Sequence, residues 1–504
     1  MNRTKKFMYN TVASAFQQIV VMATGLILPR VMLECYGSVV NGLTSSIAQF
    51  INYFTLVEAG IGASAVYALY KPLAENDHPA ISSIVTAAKK FYILSGYFFT
   101  ALTFILAFCI PFIRKTNVLS PLEIGILVLV LGVSGTLDFF VSSKYNVLLT
   151  ADQRYYVISV SSMVATVLNA VIIVALAYFH VSVIAARTAA LLSVFARVLI
   201  LYLYVRKKYD YLNFEAKPDN SAMRQRWDAL YLQILGLVQT GAPVILATIF
   251  INYEAASVYS IYYMVIGAIN GVLSIFTSGL SASFGDVIIR GEKENLQKTY
   301  RQFEFTYYAL ITFVYACALV LIMPFIRIYT KGIVDADYNV PLVGYLMVLN
   351  GLLYNLKTPQ GMLVVSAGLF RETKWQSTIQ GAIAIVVGAA LAPKFGLPGI
   401  LTGLILSNLY RDVDLLLFIP AHVTQLSPKQ TLKRWANSFM EFIVILIPFF
   451  FITIFAANFL QWTEWGIVTA CYALVVVLIF SFIFDRTEFK NSLVRILKMI
   501  GAKK

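Results

Sequence analysis

The chain has 504 residues, 59% of them hydrophobic and 13% charged, with a formal net charge of +14 and a mean hydropathy of +0.76. Soluble globular chains carry about 25% charged residues, so that class is excluded. The positive balance needs no nucleic-acid partner, because basic loops facing anionic lipid account for it.

Apolar runs long enough to cross a bilayer recur from end to end and predict an all-α polytopic membrane protein of fourteen transmembrane helices. The N-terminus, MNRTKKFMYN, has the basic start of a signal peptide. The apolar stretch 16–31 behind it is too long for a signal core and lacks a clear cleavage site, so it reads as a retained first span. That span, 8–33, carries Gln17, Gln18 and, after Pro29, Arg30, with Glu34 one turn on. The second, 41–70, contains Glu58. The third, 88–113, runs into the tetrapeptide PFIR at 111–114. The fourth, 121–149, contains Asp138 and Lys144; the fifth, 155–179, contains Asn169; the sixth, 181–205, contains Arg187 and Arg197. A polar stretch, 206–226, holds KPDNSAMRQR and reads as a linker. Spans at 227–252, 256–286 and 303–328 follow, the last ending in a second PFIR at 324–327. The tenth, 339–366, places Asn350, Tyr354 and Lys357 at i, i+4, i+7, one polar stripe on one helix face. The eleventh and twelfth lie at 373–392 and 397–420, the latter with Arg411, Asp412 and Asp414. The last two lie at 438–460 and 465–484. In the tail, 485–504, Phe489, Leu493, Ile496, Leu497 and Ile500 keep helical spacing, with Lys490, Arg495 and Lys498 between them. That pattern predicts a basic helix lying on the inner leaflet.

An even number of spans puts both termini on one side. With them inside, the inner segments hold 28 Lys and Arg and the outer loops five: Arg114, Lys115, Arg327, Lys331 and Lys394. That bias predicts cytoplasmic termini. The two PFIR copies are 213 positions apart, each at the outer end of a span. Neighbouring matches keep nearly the same offset: Glu75 and Glu294 are 219 apart, Ala151 and Ala367 216, Arg154 and Arg371 217. Several weak matches at one offset predict a duplicated six-helix half. Six is even, so the copies enter the membrane in the same direction and are expected to be related by a pseudo-twofold along the membrane normal. The expected organisation is an N-lobe at 1–205, a cytoplasmic linker at 206–226, a C-lobe at 227–420, two extra helices within 421–484 and the tail at 485–504.

A cation at mid-span costs about 2.5–3.5 kcal/mol on insertion scales and marks a functional candidate. Six occur: Arg30, Lys144, Arg187, Arg197, Lys357 and Arg411. Lys144 and Lys357 are 213 apart, Arg197 and Arg411 214 apart, each pair at matched depth in matched spans. Two matched pairs in the inner half would make a positive vestibule suited to an anionic cargo. Arg411 has Asp412 and Asp414 for neutralisation, and Arg187 has a route to the outer surface by snorkelling. Glu58 and Asp138 lack a cationic neighbour on their own helices. Either is a candidate for a coupling ion, or the partner of a cation from another span. Gln17, Gln18, Asn169, Asn350 and Tyr354 offer hydrogen bonds to a sugar or to neighbouring helices.

There is no GxxxxGK[ST], HExxH or GxSxG, and no Cys/His ligand set. The cysteines Cys35, Cys109, Cys317 and Cys471 stand singly and read as packing residues. His78, His180 and His422 are isolated at span ends or loops. The outer loops are short, which argues against an enzyme.

The stretch LFRETKWQSTIQGAIAIVVGAALAPKFGLPGILTGLILS (369–407), and above all its KFGLPGI turn, resembles the polysaccharide-transport branch of the multidrug/oligosaccharidyl-lipid/polysaccharide (MOP) exporter superfamily. EAGIGASAVYALYKPLAENDHPAI (58–81) looks like that branch's second-span ending; the first-half counterpart of KFGLPGI, YFHVSVI (178–184), lacks the glycines. The resemblance covers nearly the whole chain and implies a MATE-like fold and a flippase in a bacterial cytoplasmic membrane. The implied activity is transfer of undecaprenyl-pyrophosphate-linked oligosaccharide repeat units from inner to outer leaflet by alternating access, for capsule, O-antigen or exopolysaccharide. Membrane lipid and a polysaccharide polymerase are the implied partners. No cofactor is implied beyond a coupling ion, Na+ or H+. A pyrophosphate leaving water needs Lys or Arg, which makes Lys144, Arg197, Lys357 and Arg411 the expected grip, with Arg30 and Arg187 beside them. The alternatives are a MATE-like multidrug cation antiporter, a flippase for the peptidoglycan precursor lipid II, and a membrane polysaccharide polymerase.

Overall fold

The computed structural model describes residues 3–58, 61–219, 240–278, 280–452 and 454–499. Positions 220–239, which hold the end of the expected linker and the first half of the expected seventh span, lie outside the described residues, as does the end of the tail from 500 onward. The described residues are helical almost throughout, without strands. They form two compact units, Met1–Ser260 and Ile261–Lys504.

The first unit holds α1 (Arg3–Phe54), α2 (Ile61–Glu75), α3 (His78–Ile113), α4 (Pro121–Leu137), α5 (Ser143–Ala151), α6 (Tyr155–Tyr178), α7 (Val183–Lys208), α8 (Thr240–Phe250) and the start of α9 (Tyr253–Ser278). The second holds the rest of α9, then α10 (Leu280–Ile289), α11 (Lys293–Tyr329), α12 (Pro341–Leu356), α13 (Thr358–Ser366), α14 (Lys374–Phe395), α15 (Leu397–Ile419), α16 (Pro428–Phe451), α17 (Phe459–Phe484) and α18 (Arg486–Met499). Ten of the described helices are long and apolar enough to cross a membrane.

The helices depart from the expected spans in informative ways. The first two spans share α1, which bends at Gly37 where φ is 83°; only glycine visits that region without cost. The third and ninth spans begin about ten residues earlier than expected, as α3 and α11 run out of the apolar zone on polar turns. The fourth span is interrupted: a π-turn, Asp138–Ser142, separates α4 from α5. The tenth is interrupted too, at Lys357 between α12 and α13. Pro359 accounts for that break, because it has no N–H to donate to the Asn355 carbonyl four residues back and its ring crowds that turn. In α15, Arg411, Asp412 and Asp414 lie within an otherwise apolar helix.

The turns repeat in pairs. Asn76 and Gly291 have positive φ (54° and 69°), as do Gln153 and Gly368 (55° and 69°), each pair 215 apart. His180 and Gly396 (56° and 62°) are 216 apart. These spacings fall within the 213–219 range of the sequence matches. In KFGLPGI, Gly396 ends α14 and opens α15. The counterpart that lost its glycines keeps the left-handed turn with His180, a residue type that tolerates the region better than most.

Buried apolar side chains hold each unit. In the first, Phe99, Leu148, Leu149 and Leu201 are fully enclosed in one cluster and Leu43 and Ile47 in another. In the second, Phe284, Tyr300 and Leu363 pack together. On α1, Gly42 permits unusually close backbone approach: a Cβ there would lie 1.8 Å from the Tyr253 carbonyl oxygen. Asn41 donates to Ser257 Oγ at 2.7 Å along the same seam, Ser46 pairs with Thr248, and Arg114 donates to the Ile251 carbonyl.

Outside the spans, a polar knot ties the start of α1 to the turn after α5 and the end of α7. Lys6 Nζ donates to the Asp152 carbonyl and to Oδ1, both at 2.7 Å. Arg154 Nε and Tyr209 Oη donate to Oδ2 at 2.5 and 2.6 Å. Burial alone would raise the Asp152 carboxyl, but Lys6, Tyr209 and Arg154 outweigh it and hold it below the usual range. A depressed folded-state value contributes stability above the unfolded value of about 3.9, lost as pH falls through the folded one. Asp152→Asn is therefore expected to lower stability by about 2 kcal/mol between pH 5 and 8. In a thermal melt across pH, its gap from wild type closes below about pH 4.

Candidate functional site

Each unit carries cations within its largely apolar helices. In the first, Lys144 follows the π-turn, its ammonium 5.0 Å from the ring centroids of both Tyr145 and Phe214. Lys89, from α3, lies over the same Phe214 ring at 5.6 Å. Neither lysine has a carboxylate within 4 Å among the described residues. A cation on an aromatic face gains about 0.5–2 kcal/mol, less than an ion pair in a dry site, so both charges stay available to an incoming anion. Lys89 was not singled out by sequence, because it sits where a polar helix start meets the span; Phe214, in the linker, is what joins it to Lys144.

Arg197 is bound instead by Asp138: its Nη1 lies 2.9 Å from both carboxylate oxygens. Asp138 opens the π-turn, so the irregular turn presents it to α7. Arg187 faces the interior of its unit, donating to Met32 Sδ at 3.8 Å, with its Nε buried and unpartnered. Arg30 pairs with Glu34 at 2.6 Å. Gln17, Gln18 and Asn169 are half-buried. Glu58 closes the 3-10 turn after α1 and makes no ion pair among the described residues.

In the second unit, the break between α12 and α13 gathers a denser polar set. Lys357 Nζ donates to Asn408 Oδ1 and lies 4.7 Å from the Tyr354 ring. Asn408 Nδ2 donates to Asn350 Oδ1 at 2.9 Å, and Gln380 Nε2 reaches Asn408 Oδ1 at 3.4 Å. The stripe Asn350, Tyr354, Lys357 thus acts as a group, completed from α14 and α15 by Gln380 and Asn408. Neither of those two was legible, since a single amide in an apolar run carries no periodic signal. A second layer centres on buried Asn355, which donates to Asn270 at 2.7 Å and Tyr315 at 2.8 Å and accepts from Tyr307 at 2.8 Å. Arg411 pairs with Asp414 at 2.5 Å. Asp412 is 2% exposed, and both of its carboxylate oxygens are buried without a hydrogen bond.

The four matched cations divide by type. The arginines, Arg197 and Arg411, are each held by a carboxylate. The lysines, Lys144 and Lys357, have no carboxylate within ion-pair distance among the described residues, although Asp412 is an electrostatic neighbour of Lys357, and both sit at helix breaks. Among the described residues no group of three or more His, Cys, Asp or Glu could hold a metal.

This arrangement of long apolar helices is that of a multi-pass membrane protein, and its fold is that of the MOP exporters. The fold is similar to that of the "Lipid II flippase MurJ" in an inward closed conformation, with a TM-score of 0.70 at 14% identity, covering 95% of this chain and 99% of that one. It is also similar to a MATE family multidrug transporter in an inward-facing conformation (TM-score 0.63, 13% identity, 82% of this chain and 96% of that one). A MOP superfamily transporter from Pyrococcus furiosus, described as having a binding pocket of reverse polarity, matches with a TM-score of 0.54 at 12% identity over 82% of this chain and 96% of that one. No curated protein matches. The model of the polysaccharide biosynthesis protein family matches residues 3–284, and the chain belongs to that family.

Proposed function

We propose that the chain is a flippase that moves undecaprenyl-pyrophosphate-linked oligosaccharide repeat units from the inner to the outer leaflet of a bacterial cytoplasmic membrane, by alternating access, for cell-surface polysaccharide assembly. The supporting observation is the pair of lysines at matched helix breaks, Lys144 and Lys357, with no carboxylate within ion-pair distance among the described residues. A diphosphate is a dense anion that needs such charges to leave water. The amides around Lys357 suit a hydroxyl-rich sugar, and Lys89 adds a second ammonium beside Lys144. A multidrug antiporter would want carboxylates in these places. The chain performs no covalent chemistry in this reading. Its six-helix halves are 1–205 and 227–420, both termini face the cytoplasm, and Glu58 is the remaining candidate for a coupling ion, because Asp138 is engaged by Arg197. The likeness to MurJ supports a competing reading, in which the cargo is lipid II, a molecule of the same chemical class.

Two complementation arms test and separate these readings. Expression in a strain lacking its surface-polysaccharide flippase is expected to restore surface polymer, while expression during MurJ depletion is expected to leave lysis unchanged. Rescue of the depleted strain alone would overturn the polysaccharide assignment.

A further inference from the structure

We propose that the second unit binds a small monovalent cation, Na+, at Glu441, in the helices that follow the duplicated halves. On α16, Arg434, Asn437, Ser438 and Glu441 fall at i, i+3, i+4, i+7 and share one face. With Ser481 and Asp485 from the end of α17, and Phe305 and Tyr308 from α11, they line a cavity of about 30 Å³. That is room for one water-sized occupant.

The positive charge in this cavity is already committed. Arg434 pairs with Glu304 at 2.8 Å and with Asp485 at 2.9 Å. Glu304 is satisfied in turn by Thr431 at 2.7 Å and Tyr300 at 3.1 Å. Two turns along α16, Glu441 is 6% exposed, and its Oε2 is buried with no hydrogen-bond partner. No Lys, Arg or His lies within 4 Å of it among the described residues. A buried carboxylate left alone is costly, and buried charges are normally paired or coordinate a cation. The neutral side chains beside it, Asn437, Ser438 and Ser481, bring amide and hydroxyl oxygens, the hard donors that suit a hard cation. One uncommitted carboxylate among neutral oxygens would be balanced by a single positive charge.

The test uses the full chain in lipid nanodiscs without cargo, so it reads ion binding whatever the cargo proves to be. Radioactive 22Na+ is expected to bind wild type saturably, displaced by NaCl and not by KCl or choline chloride. NaCl is expected to raise the melting temperature relative to KCl, as a ligand of the folded state must. Glu441→Gln is expected to weaken 22Na+ binding at least about tenfold and to abolish the Na+-specific thermal shift. Ser481→Ala, a milder change, is expected to weaken it about threefold, which keeps the test open if Glu441→Gln does not fold. Equal 22Na+ binding by wild type and the variants overturns the proposal. So does a wild type with no saturable binding, and so does proton uptake at Glu441 without any effect of Na+.

Discussion

Replacing Lys357 with alanine is expected to reduce export about 100-fold or more, the loss that follows when a buried charge-assisted contact to a diphosphate, worth about 3 kcal/mol, is removed. Membrane insertion should survive, because Lys357 sits at the joint between two helices rather than within one. The single variant alone leaves an ambiguity, since Asp412 is buried nearby without a hydrogen bond and would lose its cationic neighbour. The double variant Lys357→Ala/Asp412→Asn resolves it. If Lys357 serves only to balance Asp412, the double variant regains export. If Lys357 grips cargo, the double variant regains thermal stability and stays inactive, which is the expected outcome. Surface polymer measured in a flippase-deficient strain, alongside membrane abundance of each variant, reads both quantities.

The largest expected stability effect lies at Arg434. This guanidinium is 6% exposed and joins Glu304 on α11 to Asp485 beyond α17. Breaking a buried pair by removing one partner leaves a bare charge and costs about 3–5 kcal/mol. Arg434→Ala is therefore expected to lower the apparent Tm of the detergent-purified protein by ~5 °C or more. Glu304→Gln/Arg434→Met should lose clearly less, because it removes the charge on both sides of the tightest contact and leaves only Asp485, whose side chain is 25% exposed. A double variant as unstable as the single one would mean that packing around Arg434, and not charge, supplies its contribution.

How far the sequence reached depends on what each feature writes into it. Membrane-crossing helices were legible because a lipid-facing helix must be apolar over its whole length, and ten of the described helices meet that condition. The expectation of a duplication came from PFIR, repeated 213 positions on, and the positive-φ turns at His180 and Gly396 lie at a similar spacing of 216. The break at Lys357 had a signal, Pro359, that hydropathy masked. The π-turn at Asp138 had none, since an extra residue in a helix needs no special residue type. Partners across helices were the least legible. Arg197 with Asp138, Lys89 with Phe214 and Glu304 with Arg434 are separated by 59, 125 and 130 positions. In each case tertiary packing alone decides who meets whom.

The π-turn sets where Lys144 points. The Ser143 amide reaches back five residues to the Asp138 carbonyl, so one residue more than an α-helix needs is spent there, and everything after it is rotated by about 100°. The aim of the ammonium at Phe214 is consequently encoded by residue count. Point substitutions among Phe139, Phe140 and Val141 change what the turn packs against and leave that bearing alone, whereas deleting any one of them would straighten the helix and swing the lysine away from the ring.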